Sequence, residues 1–327
     1  ILLTITADGI NEDSKIGYSD TKTASYSNIG GELMNNSVTS ILLSSMISEA
    51  FYTIGSVGEG LKGAITKYNN LTEIANALRT NLITGDVIFE LPSTYAGEPA
   101  LPVVFNEFAT NDTAWEVTIR PALGSTSFLT AGDPGSGLPL IDLDGIDRLT
   151  IDGRPGGEGT SIEWIFRNTR TTSTLSPTFR FINDATYNTL TYLNVQGQNT
   201  AASGTINFST SAGLVFGNSN NTISYCHIRD RSDANGKPTN AIYSNGTASI
   251  RNANNIITNN HIYNISPSVA SSGIHLAGHN AAWTITNNHI YQTSSQTGSG
   301  HVRCGIKIAN TQALSDNFII KNNYIGG

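Results

Sequence analysis

The sequence predicts an all-β fold, a right-handed parallel β-helix with an N-terminal capping α-helix, and three observations carry that expectation. One phrase recurs: "NTLTYLNVQG" from Asn188, "NTISYCHIRD" from Asn221, "NIITNNHIYN" from Asn255, "WTITNNHIYQ" from Trp283 and "FIIKNNYIGG" from Phe318. Its aligned apolar column reads Leu190, Ile223, Ile257, Ile285, Ile320, with steps of 33, 34, 28 and 35 residues, the period of a solenoid. A second phrase lies between the copies, "AGLVFGN" from Ala212, "NAIYSNG" from Asn240, "SGIHLAG" from Ser272 and "CGIKIAN" from Cys304. Finally, the apolar residues alternate, as in Leu214-x-Phe216, Ile274-x-Leu276 and Ile306-x-Ile308. Period two means strands, and identical phrases stack about 4.8 Å apart as parallel strands, which cross over in the right-handed sense.

The elements follow in order. Residues 1–50 are rich in Ser, Thr and Asn and are expected to be the end of a preceding β module or a linker. "GSVGEG" (55–60) lacks the Lys-Ser/Thr of a phosphate loop and reads as a turn. An α-helix over about 70–82 places Leu71, Ile74, Ala75, Leu78 and Leu82 on one face, and Asn70 with Glu73 makes a capping box. Laid across the first coil, it would cover an open strand edge that otherwise invites aggregation. "GDVIFELPSTY" (85–95) then reads as the first strand, with "EVTIRPA" (116–122) and "DRLTIDG" (147–153) after it; the β-helix is expected to span 51–327 and to stop inside a repeat, as a piece of a longer chain would. Each Asn-Asn pair marks a bend that needs positive φ, which Asn tolerates. Asn259, Asn287 and Asn322 are assigned to a hydrogen-bonded ladder, and Asn260, Asn288 and Asn323 to the bend.

Composition narrows the function. Only 13% of the residues are charged, the formal net charge is −7, and no basic stripe is present, which argues against a nucleic-acid partner. No apolar run is long enough for a membrane span. Cys226 and Cys304 fall three coils apart, roughly 14 Å along the axis, beyond the reach of a disulfide; two free, mostly buried thiols are expected.

Two outward columns and one aspartate cluster are candidate sites. Val215, Tyr243, His275 and Lys307 fall between the inward pairs of the second phrase. Tyr243, His275 and Lys307 on one flat face would suit sugar contact, and Lys, His or Tyr can also move protons there; the plainer reading is an ordinary solvent-facing column. Asn194, His227, His261, His289 and Tyr324 form another, in which His227, His261 and His289 read as a structural stacking ladder rather than a chelating set, because stacked rings do not converge on one ion. Asp142, Asp144 and Asp147 in "DLDGID" are the metal candidate, for Ca2+, although their spacing is not that of an EF-hand and no other cofactor is implied. No Ser-His-Asp set or glycosidase carboxylate pair can be assigned.

The ordered phrases "FYTIGSVGEG", the capping helix, "GDVIFELPSTY", "LTIDGRPGGEGTS", "FRFINDATYNTLTYLNVQG" and the Asn-Asn coils resemble the secreted β-helix surface proteins of Bacteroidota exported through the type IX pathway, over roughly 51–327. The resemblance implies a secreted or cell-surface location, a multi-module parent, secretion-machinery or outer-membrane partners, and adhesion or contact with a polysaccharide or cell-surface glycan. The expected function is therefore a non-catalytic module for adhesion, display or polysaccharide contact. The alternative is a polysaccharide lyase or glycoside hydrolase working on an outward strand face; the interruptions at 229–239 and 292–303 are short for the walls of a lyase groove. A phage-tailspike-like protein would share the architecture without the resemblance.

Overall fold

The computed structural model describes residues 60–327 except 109, 111–113, 172–174, 200–201, 212–214, 267–268, 296–299, 311 and 327. The expectation for residues 1–50 lies outside them. The unit Leu61–Gly327 is a parallel β-helix with three long sheets and a two-stranded one that pairs Asn252–Ala253 with Asn280–Ala281. The first sheet has nine strands, running from Leu61–Ile65 to Ile319–Lys321. The second has seven, from Phe128–Gly132 to Tyr324–Ile325, and the third seven, from Val103–Asn106 to Arg303–Ile308. A complete coil passes through the first, second and third sheets in turn, and every pairing between these strands is parallel.

The inward rows hold the stack together. Leu190, Ile223, Ile257, Ile285 and Ile320 pair in register along the first sheet, as their alignment predicts. The first four are fully buried and Ile320, in the last coil, is 45% exposed. Each buried side chain of this kind contributes about 1.5–3 kcal/mol. Earlier coils use larger residues: Trp164, Phe166, Phe179, Phe181 and Phe208 are all buried, and the Phe181 and Phe208 rings stack at 4.3 Å. In these coils aromatic rings take the inward positions of the second and third sheets, while the first-sheet row continues as Ile151 and Ile119.

The corners correct the sequence reading. In both Asn-Asn columns the first residue takes the bend and the second forms the ladder, the reverse of the assignment above. Asn259, Asn287 and Asn322 have φ of 57°, 57° and 56°. Asn260, Asn288 and Asn323 form the ladder: the Asn260 backbone N–H and Nδ2 both donate to Asn288 Oδ1 at 3.0 Å, and Asn288 repeats this to Asn323 at 3.1 and 2.9 Å. Each ladder amide also donates to a carbonyl, Asn260 to Ile223, Asn288 to Ile257 and Asn323 to Ile285. Two further ladders occur, Asn188–Asn221–Asn255 and Asn218–Asn252, built with the same bonds. A positive-φ bend residue directly precedes the ladder residue in Tyr187–Asn188, Asn220–Asn221 and Asn254–Asn255, whereas Arg251, before Asn252, is not at positive φ. Where the ladder stops, Cys226 takes the position and its N–H donates to Asn260 Oδ1.

The helix spans Leu71–Thr80, shorter than predicted, and buries Leu71, Ile74, Ala75, Ala77 and Leu78. Leu82 lies beyond it, 43% exposed. The Asn70 side chain accepts from Glu73 N–H, while Glu73 accepts from Asn69 N–H, so the capping box closes one residue early. Glu98 completes the cap from the next coil, accepting from the N–H groups of Leu71 and Thr72 and adding a negative charge where the helix dipole favours one. The strand predicted at 85–95 is Ile83–Leu91, and Leu61–Ile65 pairs with it from before the helix. Val117–Pro121 and Leu149–Asp152 match their predicted ranges. Both cysteines are free; Cys226 is buried and Cys304 half-buried. Among the described residues no helix is long and apolar enough to cross a membrane.

Replacing Asn288 by Ala orphans the Asn260 N–H and the Ile257 carbonyl, and should cost on the order of 2–4 kcal/mol. Asn287→Gly relieves a positive φ and should be near neutral or slightly stabilising. Urea unfolding of both variants checks the ladder and bend assignment; equal effects would contradict it.

Candidate functional site

The third sheet presents one outward column. In Asn240–Ser244, Ser271–Leu276 and Arg303–Ile308, the side chains of Ile242, Ile274 and Ile306 face inward, so Tyr243, His275 and Lys307 between the inward positions face outward. Their register is direct: Tyr243 pairs with His275 and His275 with Lys307. Val215 does not belong to this column. It lies outside any strand, 75% exposed, and the position before Tyr243 is Asn207 in Ile206–Phe208. The inward pair of that coil is therefore Ile206 and Phe208, not Leu214 and Phe216. The column continues through Arg180 to Asp142.

Tyr243, His275 and Lys307 line one groove of about 260 Å³, floored by Thr239, Ser271 and Ser272 and bordered by Cys304. The rings of Tyr243 and His275 meet edge to face, 5.2 Å between centroids. Among the described residues no carboxylate lines the groove, and Lys307 is the charged residue on its wall. Burial, and then Lys307, pushes the His275 pKa down to about 4, so its imidazole is neutral at pH 7. Burial raises that of the Tyr243 phenol. Several polar atoms here have no hydrogen-bond partner although they are buried: His275 Nε2 and Thr239 Oγ1 in the groove, and Asn207 Oδ1 and Ser203 Oγ beside it. A buried polar atom left unpaired costs about 1–3 kcal/mol, a cost that a bound water or a polar ligand would remove.

Sequence reasoning found the three outward residues and missed Thr239, Ser271 and Ser272. These flank the strand centres, where alternation carries no signal.

The second sheet carries the histidine column in its predicted register, from Asn194 through His227, His261 and His289 to Tyr324. Ring centroids are 5.1 Å apart for His227 and His261 and 5.0 Å for His261 and His289, with the latter pair stacked. A parallel column sets Tyr263 against Tyr291 at 5.1 Å. The Nδ1 atoms turn to phenols, His227 to Tyr263 at 3.5 Å and His261 to Tyr291 at 3.4 Å, rather than to a common point. Burial first, then neighbouring positive charge, lowers the pKa of His227 and His261.

The three aspartates do not converge. Asp142 accepts both hydrogen bonds of a two-pronged contact with Arg180, Asp144 accepts from Asn183, and Asp147 accepts from the Thr186 N–H and hydroxyl. Among the described residues no group of three His, Cys, Asp or Glu side chains could hold a metal ion. Each of the three carboxylates is turned to a different strand neighbour.

A scan against protein-family models finds no match to this chain, and a search of curated proteins finds none either.

The lowered histidine pKa values set a pH dependence. As pH falls below about 6.5 the unfolded chain takes up protons that the folded imidazoles refuse. Their contribution to stability is intact above that pH and is lost toward pH 4. The raised pKa values of Asp142 and Asp147 act in the opposite sense at the acid end. The melting temperature of His275→Gln should therefore fall less between pH 7 and pH 5 than that of the unmodified protein; parallel curves would remove the buried-imidazole account.

Proposed function

We propose that this chain is a secreted or cell-surface β-helix module that contacts an acidic polysaccharide through the third-sheet groove and does so without catalysis. The observation that carries this reading is the convergence of Tyr243, His275 and Lys307 on one groove whose buried Thr239 hydroxyl and His275 Nε2 lack partners. An aromatic edge, hydroxyls and one uncompensated ammonium are the groups that recognise a sugar ring bearing a carboxylate or sulfate. The absence of a lining carboxylate among the described residues favours an anionic ligand over a cationic one, by charge complementarity.

Location on the cell surface is supported by the low charge content and by the resemblance to type IX-exported β-helix proteins of Bacteroidota. That same resemblance supports adhesion or display, with export and outer-membrane components as partners.

A lyase reading has one observation in its favour. His275 is held neutral at pH 7 beside a lysine and a tyrosine, and a neutral imidazole can accept a proton. It lacks a second cationic group on the wall to neutralise a substrate carboxylate, since Arg180 is already paired with Asp142.

Calorimetric titration with uronate oligosaccharides and neutral glucans separates these readings. The acidic series should bind, and Lys307→Ala or Tyr243→Ala should weaken binding at least tenfold. Release of unsaturated uronate or new reducing ends, lost in His275→Ala, would replace the binding reading by the catalytic one. Equal binding of neutral glucans, or no binding at all, would overturn the choice of ligand.

A further inference from the structure

A second cleft, of about 280 Å³, shares no lining residue with the groove above. It lies where the chain turns from the third sheet into the first. Its walls are aromatic, formed by Phe108, Trp115, Tyr187 and Phe216. Its polar side carries Glu107, Asp147 and Arg148.

Each part of this cleft is placed by the coil. Tyr187 occupies a bend at φ 56°, a conformation that costs a bulky residue about 1–2 kcal/mol, and this bend leaves the ring 52% exposed. Phe216 is 69% exposed, and the N–H groups of Val215, Phe216 and Gly217 are pinned by the Asp184 carboxylate. Two large rings held at the surface beside a concavity are a binding feature rather than a packing one. Asp147 is oriented by the Thr186 N–H and hydroxyl. Among the described residues no hydrogen bond or ion pair engages Glu107. The two carboxylates sense each other: burial first, and Glu107 in addition, raise the Asp147 pKa.

The cleft already shows what it favours. The Arg148 guanidinium lies 4.9 Å from the Tyr187 ring centroid, a cation seated on an aromatic face. Among the described lining residues one guanidinium does not balance two carboxylates, which leaves a negative excess. A ligand that satisfies both the rings and the excess charge has an apolar face and a positive group.

We infer that the cleft formed by Trp115, Tyr187, Phe216, Glu107 and Asp147 binds an amino sugar, its ring face against the aromatic walls and its protonated amine toward the two carboxylates. The volume is at the small end of ligand pockets, about 300 Å³, and suits one or two sugar rings. This inference is independent of the third-sheet groove, whose lining has the opposite charge.

The chain supplies its own reporter. Trp164 and Trp283 are fully buried, whereas Trp115 is only partly buried and lines the cleft. Intrinsic fluorescence should change saturably on titration with glucosamine at pH 7. N-acetylglucosamine, which keeps the ring and loses the charge, should bind at least tenfold more weakly, and glucuronate should not bind. Glu107→Gln should weaken glucosamine binding at least tenfold without moving the melting temperature, and Phe216→Ala, at an exposed position, should do the same. Equal affinity for the acetylated sugar, no saturable change, or an unaltered Glu107→Gln titration would each overturn the assignment.

Discussion

The fold depends on how backbone polar groups at the corners find partners. A coil that bends three times per turn breaks strand pairing at each bend, and the orphaned N–H and carbonyl groups lie inside the stack. The ladder asparagines solve this with one side chain. Asn260, Asn288 and Asn323 each accept through Oδ1 from an N–H of the coil before, that of Cys226 in the case of Asn260, and donate through Nδ2 to a carbonyl of that coil. No other small side chain has both an acceptor and a two-proton donor at that reach. The solution works only if the next coil places its amide one strand spacing away, so each coil's corner is held to its neighbour's. Stability then accumulates coil by coil through nearest-neighbour interfaces.

That constraint explains what could be read beforehand. The Ile row is legible because each coil repeats the same inward residue, and the five aligned positions pair in register. The Asn-Asn pairs mark the corners correctly but are symmetric in residue type. Sequence cannot tell which member bends and which bonds, and coils with Tyr187–Asn188 or Tyr225–Cys226 show the order only once φ is known. Where Trp164, Phe166 and Phe179 fill the core, aromatic rings replace the repeated inward residues of the second and third sheets, although the backbone path is unchanged.

The candidate site was legible to the extent that register is. Tyr243, His275 and Lys307 sit at one offset from conserved-type inward residues within this chain, so their alignment follows from period two. Val215 failed because "AGLVFGN" imitates the pattern of a strand while the real strand, Ile206–Phe208, is three residues long and offers a single outward side chain. The cleft at Glu107 and Asp147 was out of reach for a different reason. Its residues come from successive coils at positions that precede strands, where neither alternation nor spacing marks them, and only stacking brings them together.

Charge placement along the third sheet carries one more consequence. After Val104 the outward column runs through Asp142 and Arg180, bonded to each other by two contacts, and ends with Lys307, whose described neighbours on the groove wall are uncharged. A glycan lying along the helix axis over this column meets matched charge at one end and unmatched positive charge at the other. Arg180 can offer such a chain little electrostatic attraction, because its guanidinium fork is already satisfied by a carboxylate. On the proposed glycan reading, attraction for an anionic sugar is concentrated at Lys307, beside the Tyr243 ring and the Thr239 hydroxyl. The column is polar as well as periodic. On the proposed glycan reading, that polarity would hold a ligand with its acidic group at one end in one direction along the stack, although the coils beneath it repeat.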